Sequence, residues 1–214
     1  MVSQPYNSSP AEVVVLVHGL AAKRLVMAIL RSSLARSYGE VVNWGYPSLW
    51  SPIQRHGREL AKLLRRLDEG HGERIHLVTH SMGGIVARVA LAEYQPSRLG
   101  RFVMIAPPNR GSHVASRFAP LLGRICPPIR QLADHEASFV RSLPLPQKLE
   151  LGVIAARTDW MVPEASTHLG CERDHIVVPG LHSSLLWRRE TAAQVRHFLE
   201  HGVFCRGAGD SPAA

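Results

Sequence analysis

Short apolar runs alternate with amphipathic segments along most of the chain. Val13–Val17 is an unbroken run of apolar, mostly β-branched residues, as in a strand that is buried on both faces. Similar runs predict five more strands, at Val41–Trp44, Arg74–Thr79, Arg101–Ala106, Leu151–Ala156 and His175–Val178. Because helical patterns separate these strands, we expect an α/β fold with a mostly parallel sheet and helices on both faces.

The predicted helices carry apolar residues three and four positions apart. The inward face of the first helix, which Gly39 stops, consists of Val26, Ile29, Leu30 and Leu34. The second helix is expected to have Ser51 as its N-cap and Pro52 as its first helical residue. Its buried stripe, ahead of Gly70, consists of Leu60, Leu63, Leu64 and Leu67. Two further helices are predicted at Gly84–Tyr94 and at about Thr191–His201, the latter with Val195, Phe198 and Leu199 inward.

A single domain is expected over residues 1–214, with its core at about 12–203 and a frayed tail at 206–214. The irregular part is 107–148, which is rich in proline. Helical spacing of apolar residues there predicts short helices, and Pro120 is expected to interrupt or start one of them. This segment is either a small cap over the edge of the sheet or an ordinary long crossover connection.

The chain is basic, with a formal net charge of +8 at pH 7. The charges are scattered, and no basic stretch interleaved with aromatic residues indicates a nucleic-acid site. The densest cluster falls on one predicted helix, where a solvated face is expected: Arg55, Arg58, Lys62, Arg65 and Arg66. We therefore expect neither a nucleic-acid partner nor an anionic membrane surface as partner.

The three cysteines, Cys126, Cys171 and Cys205, are far apart and do not have metal-ligand spacing. This usage favours a reducing compartment. Residues 1–12 do not have the pattern of a signal peptide, and no apolar stretch approaches the ~20 residues that span a bilayer. A cytoplasmic protein without stable membrane insertion is expected.

The segment Thr79-His80-Ser81-Met82-Gly83-Gly84 lies where a strand meets a helix. A serine on such a turn can hold its hydroxyl above the sheet, next to the positive end of the helix dipole. The turn requires small neighbours two positions away; Gly83 meets this need, whereas Thr79 crowds the turn. Ser81 is the predicted nucleophile, and the alternative is a plain helix N-cap serine.

Two backbone N–H groups are predicted to bind the oxyanion. His18-Gly19-Leu20 follows the first strand, and the loop after that strand supplies one donor in this architecture. The predicted donors are the N–H groups of Leu20 and of Met82, the residue after the nucleophile. Gly19 allows close approach of the backbone to the reacting carbonyl, and His18 is expected to be a structural hydrogen-bonding residue.

A serine nucleophile needs a base, and the base needs an acid to orient it. His182 follows the last strand and lies at the same sheet edge as Ser81, unlike four other histidines that also follow Ser81: His113, His135, His168 and His175. Asp159 follows the strand Leu151–Ala156 at that edge and is the predicted acid, with Glu164 as its main competitor. Asp134 falls in the irregular segment and Asp174 at the opposite edge.

His76 and His80 are four residues apart, but no third ligand accompanies them, so core or supporting roles are expected rather than a metal site.

The chain resembles the α/β-hydrolase superfamily, and within it compact bacterial lipases and esterases. The resemblance lies in four segments that come in the family's order: Val14–Leu20, Thr79–Gly84, Asp159–Pro163 and Gly180–Ser183. It implies ester hydrolysis through an acyl-enzyme on Ser81, without metal or cofactor, on a small acyl ester or lipid. The alternatives are a thioesterase or acyltransferase with the same triad and, less favoured, an inactive binding module on this fold.

Overall fold

The computed structural model describes residues 12–70 and 74–206. Within these residues six strands form one parallel sheet in the order β2-β1-β3-β4-β5-β6. The strands are β1 (Val13–Val17), β2 (Glu40–Trp44), β3 (Ile75–His80), β4 (Leu99–Ile105), β5 (Leu151–Ala156) and β6 (Asp174–Val178). All six predicted strands are confirmed, with their ends displaced by at most a residue or two.

Eight α-helices connect or flank these strands in the described part of the chain. They are α1 (Ala28–Leu34), α2 (Ile53–Gly70), α3 (Met82–Glu93), α4 (His113–Leu122), α5 (Pro127–Gln131), α6 (Phe139–Ser142), α7 (Glu164–Thr167) and α8 (Arg189–His201). Short 3-10 turns precede α1 and α8, at Arg24–Met27 and Ser184–Trp187.

The sheet is buried on both faces. Alternate residues of β1 face opposite sides, as the twofold period of a strand requires. Val13, Val15 and Val17 pack with α2 and α3 in one core, whereas Val14 and Leu16 pack with α1 and α8 in the other. All five are at most 1% exposed, which confirms the expected doubly covered parallel sheet.

The helix starts differ from the predictions. Both α3, at Met82, and α8, at Arg189, begin about two residues earlier than predicted. The first helical stretch opens with a tighter 3-10 turn, which shifts its phase, so that Met27 is buried while Ile29 is 42% exposed. Helix α2 begins at Ile53, one residue later than predicted. The side chain of Gln131 from α5 accepts a hydrogen bond from the Ile53 N–H at 2.7 Å, a long-range cap that local sequence does not reveal.

Segment 107–148 folds into α4, α5 and α6. The expectation that Pro120 interrupts or starts a helix is wrong, because α4 continues through it to Leu122. Pro120 lies in the last turn, where it removes one hydrogen bond and only two residues of α4 follow it. Of the predicted tail, only Arg206 lies among the described residues, and its guanidinium donates a hydrogen bond to Asp174 at 3.0 Å.

The exposed face of α2 agrees with the prediction. The five basic residues of α2 are all exposed, as predicted for a solvated face. The three cysteines are free. Among the described residues, no helix is both long enough and apolar enough to cross a membrane; the cytoplasmic location stays a prediction.

Candidate active site

Ser81 lies on a strained turn between β3 and α3. Its backbone has φ 51° and ψ −128°, a conformation that non-glycine residues rarely adopt. The Ser81 N–H donates to the carbonyl of Ile105 at 2.8 Å, so the turn stays attached to the sheet. The hydroxyl makes no N-cap hydrogen bond. It is therefore not acting as an ordinary helix cap, which was the alternative interpretation of this serine.

Close packing around this turn explains its small residues. A Cβ at Gly83 would lie 2.5 Å from the carbonyl oxygen of Val17, and one at Gly19 would lie 2.9 Å from the Cβ of Ser81. Thr79, the predicted crowding residue, has a buried hydroxyl without a hydrogen-bond partner. That hydroxyl would lie 3.3 Å from a Cβ at Gly84, so the absence of a side chain there makes room for the threonine.

His182 connects the serine to an aspartate. Its Nε2 lies 2.9 Å from the Ser81 Oγ, and its Nδ1 lies 2.7 Å from an Asp159 carboxylate oxygen. The His182 and Asp159 side chains are only 7% and 1% exposed. The other Asp159 oxygen accepts the N–H groups of Met161 and Val162, both at 2.9 Å. These bonds hold the carboxylate in place, and the structure thus brings together the three predicted side chains.

The competing acids lie elsewhere. Glu164 is exposed at the start of α7, near His168 and His175. Asp134 binds the side chains of Ser116 and His113. Asp174 accepts the N–H of Phe204 at 2.7 Å and lies at the start of β6, the opposite edge of the sheet.

His80 supports the loop that carries His182. Its Nε2 lies 3.2 Å from the backbone carbonyl of His182, and the two rings are 4.9 Å apart. Since the carbonyl can only accept, the Nε2 carries the proton and donates. Burial lowers the pKa of His80 to about 3, which keeps the ring neutral. Its position before the nucleophile was visible in the sequence, but its partner 102 residues away was not.

Tyr46 holds the loop after β1 in place through contacts with His18. This residue was not among those predicted from the sequence. Its N–H donates to the Nε2 of His18 at 3.4 Å, and its hydroxyl donates to the His18 carbonyl at 2.8 Å. The two rings stack at 4.4 Å. His18 Nδ1 therefore carries the proton and donates to the Gly19 carbonyl at 2.9 Å. Tyr46 follows β2 at the same sheet edge as the serine turn, and this position in the sequence could have identified it as a residue near the site.

An apolar cavity of about 320 Å³ opens beside Ser81 and His182. Leu20 and Val26 line it, together with residues of α4 and α5. Its buried part includes Ala115, Leu132 and Val162, each at most 9% exposed, and its other lining residues include Phe118, Leu122 and Trp187. The volume is at the lower end of the ~300–1,000 Å³ range of small-molecule pockets.

One cluster of potential metal ligands was not predicted. Glu164, His168 and His175 each bring a ligand atom within 4.8 Å of the others. The two imidazole rings stack at 3.9 Å and 16°, however, so one ion cannot lie in both ring planes. His168 Nδ1 is also 2.7 Å from Glu172. A metal would require one ring to leave this stack.

His76, at the far end of β3 from His80, accepts the Arg101 N–H at 2.9 Å.

Solved structures share this fold at low sequence identity. Lipase BlEst2 of Bacillus licheniformis in its mature form is 18% identical, with a TM-score of 0.69 over 94% of this chain and 95% of that one. Aspergillus fumigatus lipase B is 20% identical with a TM-score of 0.73, and the chain covers 55% of its length. The type II thioesterase BorB of the borrelidin biosynthetic cluster is 17% identical, with a TM-score of 0.63 over 94% of both chains. The fold is that of the α/β-hydrolases.

A family model places the chain more narrowly. The domain of unknown function DUF7379 matches residues 2–127, more than half of the sequence. The chain belongs to this family. No curated protein matches the sequence of the chain.

Proposed function

We propose that the protein is a serine hydrolase that cleaves carboxylic esters. The observation that carries the proposal is the connected series Ser81–His182–Asp159 beside an apolar cavity, with contacts of 2.9 and 2.7 Å. Such a series is the arrangement that activates a serine hydroxyl as a nucleophile. The lipases and the thioesterase that share the fold agree with acyl-transfer chemistry but do not specify the substrate.

The reaction begins when the Ser81 oxygen attacks the ester carbonyl carbon. His182 Nε2 takes the serine proton, and Asp159 stabilises the resulting imidazolium. The tetrahedral intermediate then collapses, and the leaving alcohol takes that proton from His182. In the second half, His182 removes a proton from water, and the resulting attack releases the acid and restores Ser81.

The oxyanion of each intermediate is proposed to bind the N–H groups of Leu20 and Met82. Leu20 borders the cavity, and Met82 is the first residue of α3, where the helix dipole favours negative charge. The hydrogen bond from His18 to the Gly19 carbonyl supports Leu20 as a donor, because it orients the peptide that carries the Leu20 N–H.

The acyl group is proposed to occupy the cavity, with α4 and α5 acting as a small cap. The modest volume and apolar lining favour short and medium uncharged acyl chains over long triglycerides.

The test is covalent labelling combined with turnover. A fluorophosphonate probe should label the wild-type protein and not Ser81→Ala, while Ser142→Ala, an exposed serine on α6, should label normally. On p-nitrophenyl esters, Ser81→Ala should lower kcat by ~10⁴ or more. Normal turnover by Ser81→Ala would refute the proposal. Parallel assays with a thioester and with an alcohol acceptor separate ester hydrolysis from the alternative acyl transfers.

A further inference from the structure

Large exposed apolar side chains line the cavity or are adjacent in sequence to residues that line it. Phe118, Leu122 and Trp187 line it and are 44%, 36% and 57% exposed. Others lie next in sequence to residues that line it: Leu25, Leu121, Trp160 and Leu181, which are 50% to 74% exposed. We call these seven residues the apolar rim. They come from loops and helices that follow β1, β4, β5 and β6, so the rim lies at the carboxyl edge of the sheet.

Cations accompany the apolar rim. Lys23 and Arg24 precede Leu25, and Arg117 and Arg124 bracket the exposed part of α4. Arg157 and Arg189 lie within three residues of Trp160 and Trp187, and all six basic side chains are exposed. Glu190 beside them is already paired with Arg188 at 3.2 Å. Exposed apolar and positively charged residues thus occur together in the segments that line the cavity.

We propose that the apolar rim and these six cations dock the protein on the surface of an anionic phospholipid bilayer. Apolar side chains enter the boundary between headgroups and acyl chains, and basic side chains are attracted to the anionic headgroups. The proposal departs from the expectation drawn from the sequence, where the charges are scattered along the chain, because in the fold these six residues all follow strand ends at the carboxyl edge of the sheet. Docking through the apolar rim turns the cavity toward the lipid. The docking proposal rests on the proposed function only because it treats that cavity as the substrate entrance.

Charge alone would not distinguish the apolar rim from helix α2. Helix α2 exposes five basic residues, but its leucines face the core, so it offers cations without apolar groups. A protein held by charge alone would adsorb through α2 and through the rim alike. The proposed mode requires both kinds of contact at the rim, so the two surfaces are separable by substitution.

The experiment measures sedimentation with vesicles, using Ser81→Ala so that lipid is not consumed. We expect binding to phosphatidylcholine vesicles that contain phosphatidylglycerol, weaker binding to pure phosphatidylcholine, and loss with added salt. Adding Arg117→Gln and Arg124→Gln should weaken binding by about 25-fold, since each surface cation contributes about fivefold. Adding Leu25→Ser or Leu121→Ser should each weaken it by about tenfold.

Matched controls lie away from the rim. Lys62→Gln with Arg66→Gln removes two exposed cations of α2, and Leu145→Ser removes a half-exposed leucine near the start of β4. Both should bind within twofold of the parent. The proposal is overturned if anionic vesicles do not bind, if neutral vesicles bind equally well, or if the controls weaken binding as much as the rim variants. Vesicle binding is measured without turnover, so the two proposals can fail separately. Docking is wrong and the proposed function stands if vesicles do not bind while Ser81-dependent hydrolysis of a soluble ester persists. Binding without such hydrolysis gives the opposite conclusion.

Discussion

The orientation of one peptide group should determine how well the oxyanion is bound. His18 Nε2 accepts the Tyr46 N–H, so its Nδ1 carries the proton and donates to the Gly19 carbonyl at 2.9 Å. In a trans peptide the carbonyl and the following N–H point in opposite directions. Fixing the Gly19 carbonyl therefore also fixes the Leu20 N–H, which is the proposed oxyanion donor.

Replacing His18 by leucine removes this constraint. The ring loses two hydrogen bonds, but only the one to the Gly19 carbonyl holds that peptide directly, and it is worth about 1 kcal/mol. The ring stack at 4.4 Å on Tyr46, worth about 1 kcal/mol, is lost as well. A bias of about 2 kcal/mol corresponds to a factor of about 30 in the population of the oriented peptide. We expect kcat to fall by about 30-fold, and complete loss of one donor, ~10²–10³, sets the upper limit.

The split between kcat and KM identifies the role. The oxyanion forms only in the transition state, so KM for a short p-nitrophenyl ester should change by less than about twofold. His18→Asn keeps an N–H donor at a position like that of Nδ1 and should recover most of the rate. Circular dichroism and thermal unfolding of both variants serve as folding controls. A raised KM with normal kcat in His18→Leu would refute the reasoning, as would equal losses in the leucine and asparagine variants.

Three further predictions concern the acid, the cavity and the buried histidine. Asp159→Asn should lower kcat by ~10²–10⁴ while Glu164→Gln stays near normal in the same assay, because only Asp159 contacts His182; the opposite result would reverse the assignment. Ala115→Leu, which fills the buried part of the cavity, should lower the rate on medium acyl esters by tenfold or more and spare acetate esters. Ala119→Leu, on α4 but outside the cavity lining, should leave that ratio unchanged. For His80, whose pKa is lowered to about 3 by burial, the unfolded state takes up a proton as pH falls below ~6.5 while the folded state does not, so stability is lost toward acid. His80→Gln, which does not titrate but keeps a donor for the His182 carbonyl, should lose about 2 kcal/mol less than wild type between pH 7 and pH 5 in urea unfolding; equal losses would contradict this.

Local pattern was enough to predict the strands and the parts of the site that lie on turns. The unbroken apolar run Val13–Val17 indicates a strand that is buried on both faces. A serine between β3 and α3 with glycine at position 83 needs no distant contact to be recognised. Because all strands are parallel, residues after their carboxyl ends share one edge, which is why Ser81, Asp159 and His182 could be nominated together.

The tertiary structure decided what depends on contacts between distant segments. Asp159 and Glu164 both follow β5, and only the fold shows that the first reaches His182 while the second turns toward His168 and His175. Local sequence pattern likewise could not predict three other features. These are the hydrogen bond from Tyr46 to His18, the capping of α2 by Gln131 and the continuation of α4 through Pro120. The physical reason is that periodicity records which face of an element is apolar. The partner of each polar atom is set by how separate elements pack.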